Sequence, residues 1–196
     1  MPNITLSYIR SFFTYFCQEA IIDSALIHAG VLVPLFLKND ELHVIFTQRT
    51  DEVEHHKGQV SFPGGVMDKE DLTIIDTALR EAEEEIGLKR DLVEVLGISH
   101  DFRTPSGFCI TPVIGFLATV QTFIPNRNEV SEIFDVPLSF FLDPRNERVE
   151  QWMRSGKTVN LYFYNYGNYE IWGATAAMLR SFLMNLAEQT GRNKTL

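Results

Sequence analysis

The most unusual stretch of this sequence is REAEEEIG (80–87), which places four glutamates within five positions. On a helix, Glu81 and Glu85 lie one turn apart and Glu84 lies on the same side. Like charges at this spacing cost ~0.2–0.5 kcal/mol per pair in an isolated helix. Hard divalent cations take several oxygen ligands at short range, so clustered carboxylates are suited to hold one. We therefore expect Glu81, Glu84 and Glu85 to bind a hard divalent cation; the alternative is an ordinary solvated acidic helix face.

Two features beside the glutamates favour the metal-site interpretation. FPGG (62–65) precedes the helix, and glycines allow the backbone to come close to a ligand. Arg80 is adjacent to Glu81 and one turn before Glu84, so we expect it to orient the carboxylates. The alternative for Arg80 is a simple helix salt bridge.

These residues resemble the Nudix box, a motif with glycine, an acidic residue, Arg-Glu, Glu-Glu and a final glycine at fixed spacing. The matching positions in this chain are Gly65, Asp71, Arg80, Glu81, Ala82, Glu84, Glu85, Gly87 and Leu88. The early acidic residue is Asp rather than Glu, and eight residues rather than seven separate it from Arg80. Because the apolar stripe from Ile75 to Ile86 keeps helical phase, we predict that the additional residue lies at the start of the helix or in the preceding loop.

Segments outside the box are similar to the coenzyme A pyrophosphatase branch of the family. They are IFTQRT (45–50), GQVSFPGG (58–65), TPSGFCITPVIGF (104–116) and IWGATA (171–176), so the resemblance covers roughly residues 29–190. It implies Mg²⁺- or Mn²⁺-dependent hydrolysis of coenzyme A or acyl-CoA to 3′,5′-ADP and 4′-phosphopantetheine or its acyl form. One departure is Glu54, at a position where this branch usually has Arg.

The resemblance also implies roles for individual residues. Arg80, Glu81 and Glu84 are expected to be catalytic, and the Gly65 carbonyl is expected to join Glu81, Glu84 and Glu85 as a metal ligand. The general base is a glutamate of the box or one from a later loop, for which Glu129 in RNEVSEIF (127–134) is the candidate. The residues expected to contact substrate phosphates are Arg49, His56, Lys57 and Arg103.

Two other functions compete with this interpretation. One is a Nudix hydrolase for ADP-ribose or NADH-type dinucleotides, against which the segments outside the box argue. The other is a non-catalytic Nudix-fold nucleotide-binding protein. Such proteins usually have a degraded box, whereas Glu81, Glu84 and Glu85 are all present here.

The elements that must position these residues alternate between strand and helix patterns. Strands are predicted at 29–37, 42–49, 92–102, 110–120 and 159–166, and helices at about 5–20, 72–86, 137–142 and 173–191. This mixture predicts an α/β fold, and the resemblance makes it a Nudix-type α/β/α sandwich with a mixed β-sheet. We expect one Nudix hydrolase domain over residues 1–196, with the box at 65–88.

Composition limits the partners and the compartment. The net charge of −9 argues against nucleic acid or a membrane surface as a partner and is compatible with a small nucleotide substrate held through a cation. Cys17 and Cys109 have no zinc spacing and are expected to be free thiols in a reducing cytoplasm. The sequence leaves a homodimer open.

Overall fold

The computed structural model describes residues 4–50, 58–119, 121–154 and 156–192. Its helices are α1 (Leu6–Tyr15), α2 (Ile74–Ile86), α3 (Leu138–Leu142) and α4 (Gly173–Arg192), with 3-10 turns at Arg90–Leu92 and Pro144–Asn146. Its strands are β1 (Ile27–Lys38), β2 (Glu41–Arg49), β3 (Val60–Ser61), β4 (Gly64–Val66), β5 (Val93–Ile98), β6 (Phe102–Arg103), β7 (Phe108–Leu117), β8 (Val130–Pro137), β9 (Glu147–Arg154), β10 (Lys157–Tyr166) and β11 (Tyr169–Trp172).

The large sheet is mixed, as predicted. Its main path runs β3-β2-β1-β7-β5, while β4 pairs with β1, β6 with β7 and β8 with β2. Strands β1 and β7 run parallel, and the other pairs are antiparallel. A second sheet has the order β11-β10-β9.

Strand β1 is buried on both faces, because side chains alternate between the two sides of a strand. Leu32 and Phe36 pack with α2 on one face. Val33 and Leu35 join the core on the opposite face, where α1 and α4 also contribute. Helices therefore cover both sides of the mixed sheet, which confirms the α/β/α sandwich. In the part of the chain that is described, no helix is both long and apolar enough to cross a membrane.

Helix α2 begins and ends at well-defined caps. Thr73 and Asp76 form a reciprocal capping box, and Gly87 ends the helix in the left-handed region at φ +66°. The helix is continuous from Ile74 to Ile86, so the additional residue of the box makes no bulge in it, as predicted. The glutamate-bearing turns therefore keep regular helical geometry.

Several element boundaries differ from the prediction, and strands β8, β9 and β11 were not predicted. Two of the predicted elements end where the backbone hydrogen-bonds elsewhere. Helix α1 ends at Tyr15 rather than near residue 20, because the following backbone hydrogen-bonds elsewhere: the Glu19 N–H donates to His100 Nδ1 at 2.8 Å. The strand expected over 92–102 ends at Ile98. The N–H of Asp101 turns away from the sheet and donates to the Glu19 carbonyl at 3.2 Å.

Candidate active site

The glutamates of α2 occupy three different environments. Glu84 is exposed, Glu81 is mostly shielded, and the Glu85 side chain is only 4% exposed. Glu85 Oε2 accepts a hydrogen bond from the Gly64 N–H at 3.3 Å. The alternative of an ordinary solvated acidic helix face therefore does not describe Glu85. Strand β4 lies against this part of α2 and covers the Glu85 carboxylate.

Gly65 can lie so close to the helix only because it lacks a side chain. A Cβ atom at Gly65 would stand 2.4–2.6 Å from the carboxylate atoms of Glu81. At Gly64 a Cβ would stand 2.5 Å from the Gly30 carbonyl oxygen. The Gly64–Gly65 backbone thus forms one wall of the site directly over the carboxylates.

Arg80 holds the acidic residues in place from the outer side. Its guanidinium donates to Asp71 at 2.9 Å, to Glu81 at 2.9 Å and to Glu84 at 3.2 Å. It also donates to the Val66 carbonyl at 3.2 Å, which ties α2 to β4. The hydrogen bonds from Arg80 hold the pKa of Asp71 far below its usual range. Despite the additional residue, Asp71 therefore anchors Arg80, a role that the sequence left unsettled.

Glu129 reaches the same site from the loop before β8. The Asn126 N–H donates to the Glu85 carbonyl at 2.8 Å, and Asn126 Nδ2 donates to Glu129 Oε1 at 3.1 Å. The Thr50 N–H donates to the Glu129 carbonyl at 3.0 Å, which attaches the same loop to β2. The fold thus brings a later glutamate next to the box, where the sequence predicted a possible base.

The carboxylates crowd one another in a poorly solvated space. Burial raises the pKa of Glu85 most, and the negative charges of Glu129 and Glu81 add to the rise. The Gly64 N–H and Arg49 oppose it, and the pKa remains at about 8. Burial also raises the pKa of Glu81. The site therefore carries more negative charge than its protein neighbours balance, which is the condition that a bound dication relieves.

This donor set suits a hard divalent cation in kind and in charge. Within the described ranges, no three His, Cys, Asp or Glu side chains are grouped closely enough to enclose an ion as they lie. The fit rests instead on carboxylate and carbonyl oxygens, the donors that Mg²⁺ and Mn²⁺ prefer. It also rests on the close approach of the Gly65 backbone to the Glu81 carboxylate, which the absence of a Cβ atom allows.

The residues expected to bind substrate phosphates are distributed unevenly. Arg49 Nη1 lies 3.9 Å from Glu85 Oε1, and the buried Arg49 Nε has no hydrogen-bond partner among the described residues. Arg103, on β6, forms an ion pair with Asp23 at 2.9 Å. Strands β7 and β1 lie between β6 and β4, so Arg103 is distant from the glycine backbone of the site. His56 and Lys57, like Glu54, lie outside the described residues.

Sequence reasoning missed Asn126, which binds both the helix end and Glu129. The available signal was weak: an asparagine three residues before a glutamate indicates a turn, because its short side chain hydrogen-bonds nearby backbone. Indeed, Asn126 Oδ1 accepts from the Asn128 N–H at 3.2 Å. Nothing in the sequence pattern connects this turn with the carbonyl of Glu85.

Comparison with known proteins points in one direction. The family model described as NUDIX domain matches residues 26–155. An uncharacterized Nudix hydrolase NudL of Photorhabdus laumondii is 40% identical over 152 residues, which cover 78% of this chain and 81% of that protein. A protein of the same description from Pectobacterium atrosepticum is 35% identical over 161 residues, covering 82% and 83%.

Solved structures show the same architecture. A MutT protein from Methanosarcina mazei matches with a TM-score of 0.53 at 14% identity, covering 87% of this chain and 99% of that one. The Nudix hydrolase RenU from M. smegmatis matches with a TM-score of 0.51 at 24% identity, covering 60% and 74%. At these identities the likeness concerns the fold alone.

Proposed function

Because the chain belongs to the Nudix family and is a pyrophosphohydrolase, we propose that it hydrolyses the pyrophosphate bond of coenzyme A or acyl-CoA. The products are 3′,5′-ADP and 4′-phosphopantetheine or its acyl form. Nudix hydrolases generally use divalent metal ions, and we propose Mg²⁺ or Mn²⁺ here. We take residues 1–196 to act as one Nudix hydrolase domain.

One observation supports the pyrophosphohydrolase chemistry most strongly: carboxylates from two separate segments, α2 and the Glu129 loop, converge beside the glycine backbone of β4. Their shared surplus of negative charge is visible in the raised pKa of Glu85 and Glu81. A structural acidic helix face would be solvated, whereas Glu85 is buried at 3% exposure.

A bound divalent cation supplies charge neutralisation of the pyrophosphate oxygens and lowers the pKa of a coordinated water. Glu81, Glu85 and the Gly65 carbonyl are the groups that we propose to hold it, with Glu84 joining directly or through water. Arg80 keeps Glu81 and Glu84 oriented through its hydrogen bonds at 2.9 and 3.2 Å.

We propose Glu129 as the group that accepts the proton from the attacking water. It lies on a loop attached at two points, through Asn126 to α2 and through Thr50 to β2. A base fixed in this way keeps its orientation while the water is activated. The glutamates of the box remain the alternative location for the base.

The coenzyme A assignment rests on the segments outside the box. In the fold, GQVSFPGG and IWGATA meet, because Thr175 Oγ1 donates to the Val60 carbonyl at 3.1 Å. TPSGFCITPVIGF forms β7, and β1 connects it to β4: Val31 pairs with Pro112 on one side and with Gly64 on the other. The segments that resemble the coenzyme A branch therefore surround the box, and we propose that they form the substrate cleft.

Coenzyme A carries a 3′-phosphate that ADP-ribose and NADH lack, and a cationic side chain is needed to bind it. We propose Arg49, His56 and Lys57 for phosphate contact, and Arg103 for a more distant part of the substrate. A charge-assisted hydrogen bond to phosphate contributes roughly 1.5–3 kcal/mol, on the order of tenfold to a hundredfold in kcat/KM. We also propose a cytoplasmic location, with Cys17 and Cys109 as free thiols.

The decisive experiment compares coenzyme A, dephospho-coenzyme A, ADP-ribose and NADH with the full chain at one metal and salt concentration, with products identified by mass. We expect coenzyme A to have the highest kcat/KM and to yield 3′,5′-ADP. A higher value for ADP-ribose or NADH would refute the coenzyme A branch and leave the dinucleotide hydrolase. Equal cleavage of dephospho-coenzyme A would refute the 3′-phosphate contact alone. Binding of all four without turnover would indicate a non-catalytic nucleotide-binding protein.

A further inference from the structure

We propose that the outer edge of β9 pairs with the same strand of a second copy of this chain, forming a twofold-symmetric antiparallel dimer centred on Trp152. In the described part of the chain, β9 pairs only with β10, so it is an edge strand of its sheet. The backbone N–H and C=O groups on the outer side of such a strand are available to another strand.

Three apolar side chains of β9 are exposed beside its charged ones. Val149 is 47% exposed, Trp152 49% and Met153 73%. The strand spans eight residues and has no proline to prevent pairing. A long edge with exposed apolar side chains favours association with another strand.

Twofold symmetry restricts the possible registers. Side chains of neighbouring residues point to opposite faces of a sheet, so a twofold axis perpendicular to the sheet must pass between two copies of the same residue. A centre at Glu150 would place two Glu150 carboxylates opposite each other. A centre at Gln151 would place Arg148 opposite Arg154 of the second copy. Both registers oppose like charges, which destabilises strand pairing.

The register centred on Trp152 is self-complementary. It places Glu150 opposite Arg154 of the second copy, and this pair occurs twice by symmetry. The two Trp152 side chains face each other between these ion pairs. Glu150 and Trp152 lie on the same face, because Trp152 Nε1 donates to Glu150 Oε2 at 2.9 Å. Arg154 forms no ion pair within the described residues, and its side chain is exposed, so it is available to the second copy.

A centre one residue further along the strand is less favourable. An axis at Met153 would place Glu150 opposite Gly156 of the second copy, which carries no charge. It would also place Trp152 opposite Arg154, without a carboxylate to balance the arginine.

A centre at Val149 would place Arg148 opposite Glu150 of the second copy, but Arg148 already pairs with Glu150 and Glu170 of its own chain. The register centred on Trp152 instead uses Arg154, which has no such pair among the described residues, and we therefore take Trp152 as the centre and a second copy of this chain as the partner.

The dimer is expected to be weak and to leave the carboxylate site accessible. Pairing five residues on each strand buries less than the ~1,200 Å² of a standard interface, so a dissociation constant on the order of micromolar or weaker follows. Within the small sheet, β10 lies between β9 and β11. It is β11 that contacts β3, the strand just before Gly64 and Gly65, so β9 lies on the far side of this sheet from the carboxylate site. Dimerisation is thus independent of the proposed function.

Charge reversal at Glu150 and Arg154 tests the proposed register. The measurement is sedimentation velocity of the full chain at protein concentrations of roughly 5–500 µM. We expect the wild-type chain to dimerise as its concentration rises. E150R and R154E should each weaken association by about tenfold or more, since each opposes like charges at both symmetric positions. The double variant E150R/R154E should restore association, and an equimolar mixture of the two single variants should form heterodimers.

Two features make the result interpretable. E150R also removes the contacts of Glu150 with Arg148 and Trp152 within one chain, but the double variant lacks them too, so its recovery reports pairing between chains. E188R, a matched reversal at an exposed position of α4, should associate as the wild type does. A wild-type chain that stays monomeric over the whole range would overturn the proposal. So would single variants that dimerise normally, or a folded double variant that does not recover.

Discussion

At the scale of single residues, Glu85 is the most informative group of the protein. Its carboxylate is 4% exposed, accepts the Gly64 N–H and lies 3.9 Å from Arg49. These contacts do not compensate for its burial, because its pKa remains raised to about 8. A buried carboxylate that its own protein does not neutralise indicates a group reserved for another cation.

We predict that E85Q and E81Q each lose at least ~99% of kcat while remaining folded, since each removes one charge from a site that must hold a dication. In the presence of a chelator, the melting temperature of E85Q should match the wild type at pH 7, where the raised pKa of about 8 leaves Glu85 mostly protonated, and should exceed it above pH 8, where the wild type must bury a charged carboxylate. The measurements are steady-state kinetics at limiting metal concentration and thermal melts with EDTA.

The matched control for these two variants is E83Q, an isosteric change on the same helix. Glu83 is about half exposed and pairs with Arg90 at 3.6 Å, away from β4. This variant should retain its activity. Near-normal turnover by both E85Q and E81Q would refute the metal assignment.

At the scale of elements, the site depends on how α2 is capped and on how two other segments are joined to it. Arg80 joins the helix to β4 through the Val66 carbonyl. The capping box of Thr73 and Asp76 fixes its start. Asn126 joins the base loop to its last turn, through the Glu85 carbonyl, and also holds the Glu129 carboxylate. Asn126 is therefore a positioning residue for Glu129.

We predict that N126A lowers kcat by about tenfold with little change in KM, because Glu129 loses the hydrogen bond at 3.1 Å that orients it. The loss should be absent when N126A is combined with E129Q, since the amide then has no base to orient. Kinetic constants of the two single variants and the double variant test this. N128A, in the same turn, is the control, and losses that simply add in the double variant would contradict the proposed role.

At the scale of the whole molecule, the parallel pair β1–β7 is the centre of the fold. It is covered by helices on both faces, and Cys109 lies within it, fully buried. Burial, together with nearby Asp101, raises the pKa of the Cys109 thiol to about 11. Cys17 is exposed after α1. The two cysteines therefore report on different parts of the structure.

We predict that at pH 8 a thiol reagent such as DTNB modifies Cys17 rapidly and Cys109 only as the β1–β7 core opens. A raised pKa keeps Cys109 protonated at this pH, and the thiol is far less nucleophilic than the thiolate. The C17S variant should show only the slow phase, and denaturant should convert it to a fast one. Rapid modification of two thiols in the native protein would contradict the buried position of Cys109.

The sequence by itself determined the chemistry and the local structure that supports it. The spacing of Glu81 and Glu85 determines that they lie one turn apart on one helix, with Arg80 beside them, because helical periodicity depends only on residues close in sequence. The apolar stripe was enough to predict that the additional residue leaves the glutamate-bearing turns of α2 uninterrupted. The alternation of helix and strand patterns was enough to predict the layered α/β architecture.

Only the tertiary structure decided which glutamate of α2 is buried and which distant residues contact it. Whether Glu85 faces solvent depends on β4, which packs against α2 through glycines whose contacts are distant in sequence. The same holds for Asn126, which reaches Glu85 across a gap of some forty residues in the chain, and for Arg103, which pairs with Asp23. Contacts between residues distant in sequence determine how deeply a carboxylate is buried and which groups surround it. Its pKa depends on that burial and those neighbours, so helical periodicity alone cannot predict the pKa.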